Sequence, residues 1–304
     1  MRHWPMRILF VTSTRIGDAV LSTGLLGHLL REYPEARFTV ACGPAAAGVF
    51  ARMPRLERLI VVAKRRLSLH WPLLWAQVAF TRWDLVVDLR ASALAWMVPA
   101  ARRATGRGGR RPGHRLSHLA EVLRLSPPPL PVAWTAPADE ARAAGLLPGG
   151  PWLVLGPTAN WSGKVWPAER FVAVARALTA PGGALAGAGI AVLGGPGATE
   201  RAMAAPVLAA FPGATDLMGL ELPATAAALH RAVLFIGNDS GLMHLSAACG
   251  TPTLGLFGPT EAGEYAPAGP RAAPVLADDR TMEGLPAARV AAAAERLLAA
   301  PVAA

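Results

Sequence analysis

Apolar residues in this chain fall into short unbroken runs, separated by longer stretches in which they recur every three or four positions. The short runs predict buried strands, and the three-to-four spacing predicts helices with one buried face. The first run is 7–13, followed by a turn at 14–17. Asp18 then opens a helix in which Val20, Leu21, Leu25, Leu29 and Leu30 recur at helical spacing until Pro34 ends it. The pattern goes on to predict a strand at 38–41, a helix at 45–53, a strand at 59–62, a helix at 67–82, a strand at 84–89 and a helix at 91–101. A basic loop covers 102–115, the proline run 126–131 is extended, and 137–144 is a short helix. Residues 145–151 carry enough Gly and Pro to be a linker between domains.

A second alternating set starts at Trp152. It reads as strand 152–155, helix 168–178, strand 190–193, helices 199–211 and 222–231, strand 233–236, helix 242–249 and strand 253–257. An Ala-rich amphipathic helix over 285–300 closes the chain. Strands alternating with helices imply parallel sheets covered on both faces. The expected fold class is therefore α/β, with two Rossmann-like, doubly wound domains facing a cleft. Their expected bounds are 1–147 and 148–282, with 283–304 as a terminal helical segment.

The most informative stretch is 233–260, V-L-F-I-G-N-D-S-G-L-M-H-L-S-A-A-C-G-T-P-T-L-G-L-F-G-P-T. Asn238, Asp239 and Ser240 are helix N-cap types, and Gly241 lets a ligand approach the backbone closely. Gly250 suits a C-terminal cap and Pro252 stops the helix. The helix N-terminus favours an anion such as a phosphate. The same residues also suit an ordinary capped crossover, and spacing does not choose between the two. Asp18 is similarly open: it is either a helix cap or a general base at the carboxyl edge of the first sheet. Asp239, Ser240 and His244 sit on one loop and helix turn without a nucleophile elbow or a distant partner, so they are not read as a triad. His244 is either a core histidine or a group under the anion site.

Composition narrows the class. With 16% charged and 53% hydrophobic residues in 304, the chain is globular. Its two cysteines, Cys42 and Cys249, form no C-x-x-C pair and accompany no histidine cluster, which argues against a disulfide scaffold or structural zinc and fits a reducing compartment. The apolar run at 8–11 is too short for a signal peptide, and Met6 is itself a plausible start, leaving 1–5 as an extension. No window supplies the ~20 uncharged apolar residues of a spanning helix. The net charge of +10 is uneven. Residues 1–150 carry 21 Lys/Arg against 9 Asp/Glu, and 151–304 carry 9 against 11. An anionic partner for the first half follows: nucleic acid, a membrane surface or a phosphorylated substrate. No nucleic-acid-binding motif accompanies the charge, and none is expected as a partner. Trp71, Trp75 and Trp83 lie near the basic segments and suit a bilayer interface.

The exact residues resemble a known family. D-S-G-L-M-H-L-S-A-A at 239–248 and F-G-P-T at 257–260 resemble the nucleotide-sugar signature of the ADP-heptose:lipopolysaccharide heptosyltransferases, inverting glycosyltransferases of GT-B architecture. The likeness extends to G-D at 17–18, D-L-V-V-D-L-R ending at Arg90, R-R-x-x-G from Arg102, K-x-W-P from Lys164 and G-G-P at 194–196. It implies Asp18 as the base that deprotonates an acceptor hydroxyl, and Lys164 as a ligand of the donor's phosphates. It further implies a donor site formed by Thr158, Glu200 on the ribose, Met218 near adenine, Asp239, Ser240, Gly241, His244, Gly258, Pro259 and Thr260. The acceptor would meet Arg65, Arg90, Arg102, Arg103 and Arg110. The final helix would pack back on the first domain. The implied donor is a nucleotide sugar, ADP-heptose, with no obligatory metal or other cofactor. The implied acceptor is an anionic lipid-linked saccharide, met by a cytoplasmic enzyme peripheral to the membrane. Two rivals share the residues: a nucleotide-sugar epimerase, and a nucleotide-sugar-binding protein without catalysis.

Overall fold

The computed structural model describes residues 5–107 and 111–301, and the apolar runs among them pair into two separate sheets. The chain divides into two units between Trp134 and Thr135. In the first, the order is β1 (Arg7–Val11), α1 (Ile16–Glu32), β2 (Arg37–Cys42), α2 (Ala47–Phe50), β3 (Leu56–Val61), α3 (His70–Val78), β4 (Trp83–Asp88), α4 (Leu94–Met97), β5 (Ala100–Thr105) and α5 (Arg115–Ala120). In the second it is α6 (Pro137–Leu146), β6 (Trp152–Gly156), α7 (Ala168–Thr179), β7 (Gly189–Gly194), α8 (Ala198–Ala210), β8 (Thr215–Met218), α9 (Leu222–His230), β9 (Ala232–Asn238), α10 (Gly241–Ala248), β10 (Thr253–Phe257), α11 (Ala262–Tyr265), β11 (Ala272–Leu276) and α12 (Ala287–Ala299).

The first sheet runs β3-β2-β1-β4-β5 and the second β11-β10-β9-β6-β7-β8, all in parallel pairs. Continuous apolar sequence goes with central position. Ile8, Leu9 and Phe10 of β1 are buried between β2 and β4, and all five residues of β10 are buried. Such strands are covered on both faces, so they cannot alternate apolar with polar. The helices obey the complementary rule. In α7, Phe171, Val174, Ala175 and Leu178 share one face and join the second unit's core, while Glu169 and Arg170 stay outside it. Each sheet reverses its strand order once, at β1/β4 and at β6/β9. In an open parallel sheet, ligands bind beyond the carboxyl ends of the strands at such a switch point.

Several expectations change. Residues 91–101 do not form one long helix. Asp88 ties down the next turn by accepting from Arg90 N (2.8 Å), Ser92 N (3.0 Å) and Ser92 Oγ (2.5 Å), which leaves room only for the single turn of α4 before Pro99. Residues 100–105, expected as helix end and basic loop, form the edge strand β5; an edge needs backbone pairing on one side only and tolerates Arg102 and Arg103. The edge strands β8 and β11 were not anticipated either, being half-exposed and of mixed polarity. The helix expected over 67–82 is confined to 70–78. The expected domain boundary at 147 is displaced, because α6 packs on α9 within the second unit. The terminal helix α12 packs on α7 and β11, with Val290 and Ala294 in the second unit's core.

Candidate active-site elements

In the second unit, loops after five strands converge at the carboxyl edge. The loop after β6 is fixed by Trp166, whose fully buried ring meets Phe171 edge-on at 4.9 Å and whose Nε1 donates to Leu285 O at 2.9 Å. Its backbone N donates to Asn238 Oδ1 (3.1 Å), while Asn238 Nδ2 donates to Pro157 O (2.9 Å). One buried side chain thus clamps the loop after β6 to the end of β9, across the switch point. That clamp delivers Lys164 to Asp239, with Nζ donating to Oδ2 at 2.6 Å. The carboxylate is nearly buried and the ammonium is one-fifth exposed. Helix α10 begins immediately afterwards. Ser240 caps it by accepting from Met243 N at 3.4 Å, so Ser240 is an N-cap as its residue type suggests. The positive end of α10 and the Lys164 ammonium therefore meet beside a single anion, Asp239.

The strand ends around this point carry the other expected donor residues. Glu200, in the first turn of α8, accepts from Gly195 N (2.5 Å) and from Thr158 Oγ1 (3.0 Å), both on Oε2. Oε1 carries neither of these bonds. Met218 and Thr158 close over Gly194: a Cβ there would meet the Met218 methyl and sit 2.9 Å from Thr158 Cγ2. Thr158, Glu200 and Met218 therefore form one wall over β6, β7 and β8. Gly258, Pro259 and Thr260 follow β10, and the Thr260 hydroxyl is buried with no partner among the described residues. His244 is buried on the second turn of α10. The structure brings these residues to one sheet edge and ties Lys164 to Asp239 directly.

The first unit's carboxyl edge is different. A cavity of about 260 Å³ opens there, between the loops after β1 and β4 and helix α5. Asp18 lines it together with Ser13, Arg15, Arg90, Arg107 and Arg115. Asp18 stands in the first turn of α1 and does not cap it; Arg15 holds the cap position, with no side-chain cap bond. Arg115 Nε donates to Asp18 Oδ1 at 3.3 Å, and Ser13 Oγ reaches Oδ2 only at 3.5 Å. Oδ1 thus carries the ion pair, and Oδ2 only the longer contact from Ser13.

Of the five arginines expected to meet an acceptor, Arg90 lines this cavity and stacks over Trp71, its guanidinium 5.8 Å from the ring centre. Arg102 and Arg103 do not line it. Arg102 lies over Tyr33 and donates to its hydroxyl (3.3 Å), and Arg103 is spent on the carbonyls of Ala95, Val98 and Ala100. Arg65 is exposed in the turn before α3, and Arg110 lies outside the described residues. Arg107 and Arg115, which sequence showed only as basic surface, take the places next to Asp18. Cys42 and Cys249 play no nucleophilic part. Burial pushes the Cys42 thiol up to about 12 and raises that of Cys249. Among the described residues no three His, Cys, Asp or Glu side chains gather as a metal-ligand set.

The sequence profile of glycosyltransferase family 9 (heptosyltransferase) matches residues 113–287, which contain Arg115 and the whole Lys164–Asp239 edge. The chain belongs to glycosyltransferase family 9. This family 9 enzyme is 27% identical to lipopolysaccharide heptosyltransferase 1 of Pseudomonas aeruginosa, over 85% of this chain and 80% of that one. Its fold is similar to the crystal structure of a family 9 glycosyltransferase from Veillonella parvula, with a TM-score of 0.82, 23% identity and 98% of each chain covered. It is also similar to the Escherichia coli heptosyltransferase WaaC solved with ADP, with a TM-score of 0.77, 20% identity, and 96% and 100% of the two chains covered. These likenesses show GT-B architecture. Membership of the family separates a transferase from the epimerase alternative.

Proposed function

We propose that this enzyme transfers a heptose from ADP-heptose to a hydroxyl of a lipopolysaccharide-core saccharide, with inversion at the anomeric carbon. The observation that carries the reading is the meeting of Lys164 with the N-terminus of α10 at the β6/β9 switch point. A diphosphate is the ligand chemistry that satisfies a lysine ammonium and a helix N-terminus together. The Pseudomonas relative's name supplies the acceptor class and the Escherichia structure supplies ADP.

In this reading Glu200 Oε1 holds the ribose, the wall at Met218 faces the adenine, and Thr260 gives its unpartnered hydroxyl to the donor. The acceptor oxygen attacks the anomeric carbon while its proton passes to Asp18 Oδ2. The bond from that carbon to the diphosphate breaks, and ADP leaves as an anion. Lys164 and the α10 N–H groups stabilise the charge that develops on the leaving oxygen. Asp239 carries the wrong sign to bind a phosphate; it holds Lys164 in place. Arg115 orients Asp18, and Arg15, Arg90 and Arg107 meet anionic groups of the acceptor. Inversion needs the base and the leaving group on opposite faces of one carbon. No described helix is long and apolar enough to cross a membrane. The enzyme works in the cytoplasm and meets its lipid-linked acceptor at the membrane surface.

The test is turnover with a panel of ADP-, UDP- and GDP-sugars and a heptose-free core acceptor. The expected result is ADP release matched by one added heptose on the acceptor, seen by mass. ADP-heptose consumed without a glycosylated product, or turnover only of a UDP-sugar, would defeat the reading.

A further inference from the structure

Helix α3 breaks the rule that the other amphipathic helices obey. Its buried face is apolar, with Leu74 and Val78 in the first unit's core. The opposite face is apolar as well: Leu69, Pro72, Leu73, Ala76 and Phe80, spaced three to four apart, are exposed, and Phe80 is 91% exposed. A helix with apolar side chains on both its buried and its outer face suits a protein interior or contact with lipid. The surface continues beyond it. Trp75 packs near Phe80, with ring centres 6.3 Å apart, and its Nε1 donates to Met97 O at 2.9 Å. Trp96 and Met97, on α4, are 69% and 59% exposed. In the turn before α3, Leu67 is 93% exposed and holds a left-handed backbone (φ 52°, ψ 26°), an uncommon conformation for leucine. Large aromatic and aliphatic side chains are thus left in water on one side of the unit. Clustered apolar exposure of this kind marks an interaction site.

The charge around it identifies the partner. Between 61 and 103 there are seven Lys/Arg and two Asp/Glu. Of the two acids, Asp88 is buried on its own turn and Asp84 accepts from Arg7 N at 2.7 Å. Arg65 and Arg66 immediately precede Leu67, Arg82 follows Phe80, and Arg103 lies over Trp96 with 5.7 Å to the ring centre. Arg58 crosses to Gln77 at the polar margin of the helix. An apolar plateau with a basic rim and an indole whose N–H is already bonded is the chemistry of an anionic bilayer surface, with side chains reaching the acyl boundary and guanidiniums at the headgroups. Trp83, which sequence grouped with these anchors, is buried and Trp71 is turned inward under Arg90. Of Trp71, Trp75 and Trp83, Trp75 alone stands on the exposed plateau.

We infer that the exposed face of α3 and α4 is a docking surface that lays the first unit on an anionic lipid bilayer. The inference rests on the reading of a lipid-linked acceptor. It specifies how the enzyme meets that acceptor: Arg90 joins Trp71, on the inner side of α3, to the cavity of Asp18, so a bilayer held by α3 would present its saccharides close to that cavity.

The test uses the full chain and sedimentation with vesicles of phosphatidylcholine containing 30 mol% phosphatidylglycerol, about a physiological anionic fraction. The wild type should bind them, and bind pure phosphatidylcholine vesicles at least threefold more weakly. The triple variant Leu69→Ser, Leu73→Ser, Phe80→Ser alters exposed side chains only, so its melting temperature should stay unchanged. Its partition onto the anionic vesicles should fall at least tenfold, while turnover of a water-soluble, deacylated acceptor remains at the wild-type rate. Equal vesicle binding by variant and wild type would overturn the inference. So would a wild type that ignores vesicles and forms a dimer that the variant cannot, since the plateau would then be a protein interface. Vesicle binding lost in the variant, from a wild type that transfers no heptose, keeps the surface and defeats the transferase reading instead.

Discussion

At the carboxyl edge of the second unit the charges are already paired. Lys164 bonds Asp239, Glu200 takes a backbone N–H and a hydroxyl, and Asn238 clamps two loops together. At the same edge of the first unit, Arg15, Arg90, Arg107 and Arg115 stand around one carboxylate, Asp18. Both sheets bring a switch point to this edge, so topology supplies the place and the side chains supply the use. A small, invariant ligand such as a nucleotide diphosphate rewards groups that are positioned beforehand, because little is left to order on binding. A larger polyanion is better met by an excess of arginine in an open cavity. Uncompensated charge in the first unit and internally compensated charge in the second is the division expected of an acceptor side and a donor side.

The largest effect is expected at Asp18. Asp18→Asn keeps the shape and removes the base, so kcat should fall about a thousandfold, roughly 4 kcal/mol of transition-state stabilisation. Next comes the Lys164–Asp239 pair. Asp239→Ala or Lys164→Ala alone should lower unfolding stability by about 1–3 kcal/mol, since each leaves a partly buried group without its partner. The double variant should lose less than the two single losses combined. Urea denaturation of all four proteins checks this, and strictly additive losses would mean that the pair is not preorganising the site. Arg115→Ala should cost about tenfold in kcat, because it frees Asp18 Oδ1 without removing the base. Loss of ADP affinity in that variant would contradict the separation of the two edges.

The smallest effect concerns Asp88, a buried carboxylate at the end of β4. Burial raises the Asp88 pKa against the hydrogen bonds of Ser92 and Arg90, which pull it back. A carboxyl whose folded value lies above its unfolded value binds its proton more tightly when folded. Its contribution therefore grows as pH falls from the raised value through the ordinary aspartate range, and is lost as pH rises. The stability of wild type relative to Asp88→Asn should increase between pH 7 and pH 4, read from urea midpoints. A difference that is flat or falls would show that Asp88 is not the buried acid described.

Much of this architecture was legible because buried strands are written as unbroken apolar runs. β1, β4, β6, β9 and β10 could be read that way. The edge strands β5, β8 and β11 could not, since half-exposed strands of four to six residues carry little pattern. Motifs picked out the residues that the structure brings to the second unit's carboxyl edge. Their pairing was not, because Lys164 and Asp239 are 75 positions apart and meet only through strand order. Arg115 was the hardest to place. It lies 97 positions from Asp18, in a basic segment of which Arg102, Arg103 and Arg111 are occupied elsewhere. Residue type alone cannot tell a guanidinium that lines a cavity from one that ties down a loop.

The division of labour is tested most directly by titrating ADP into Lys164→Ala and Asp18→Asn in a calorimeter. The account predicts that Lys164→Ala weakens ADP by about ten- to a hundredfold, the loss of one charge-assisted contact of roughly 1.5–3 kcal/mol, and that Asp18→Asn binds ADP as the wild type does. Wild-type affinity in the Lys164 variant, or an equal loss in the Asp18 variant, would contradict it.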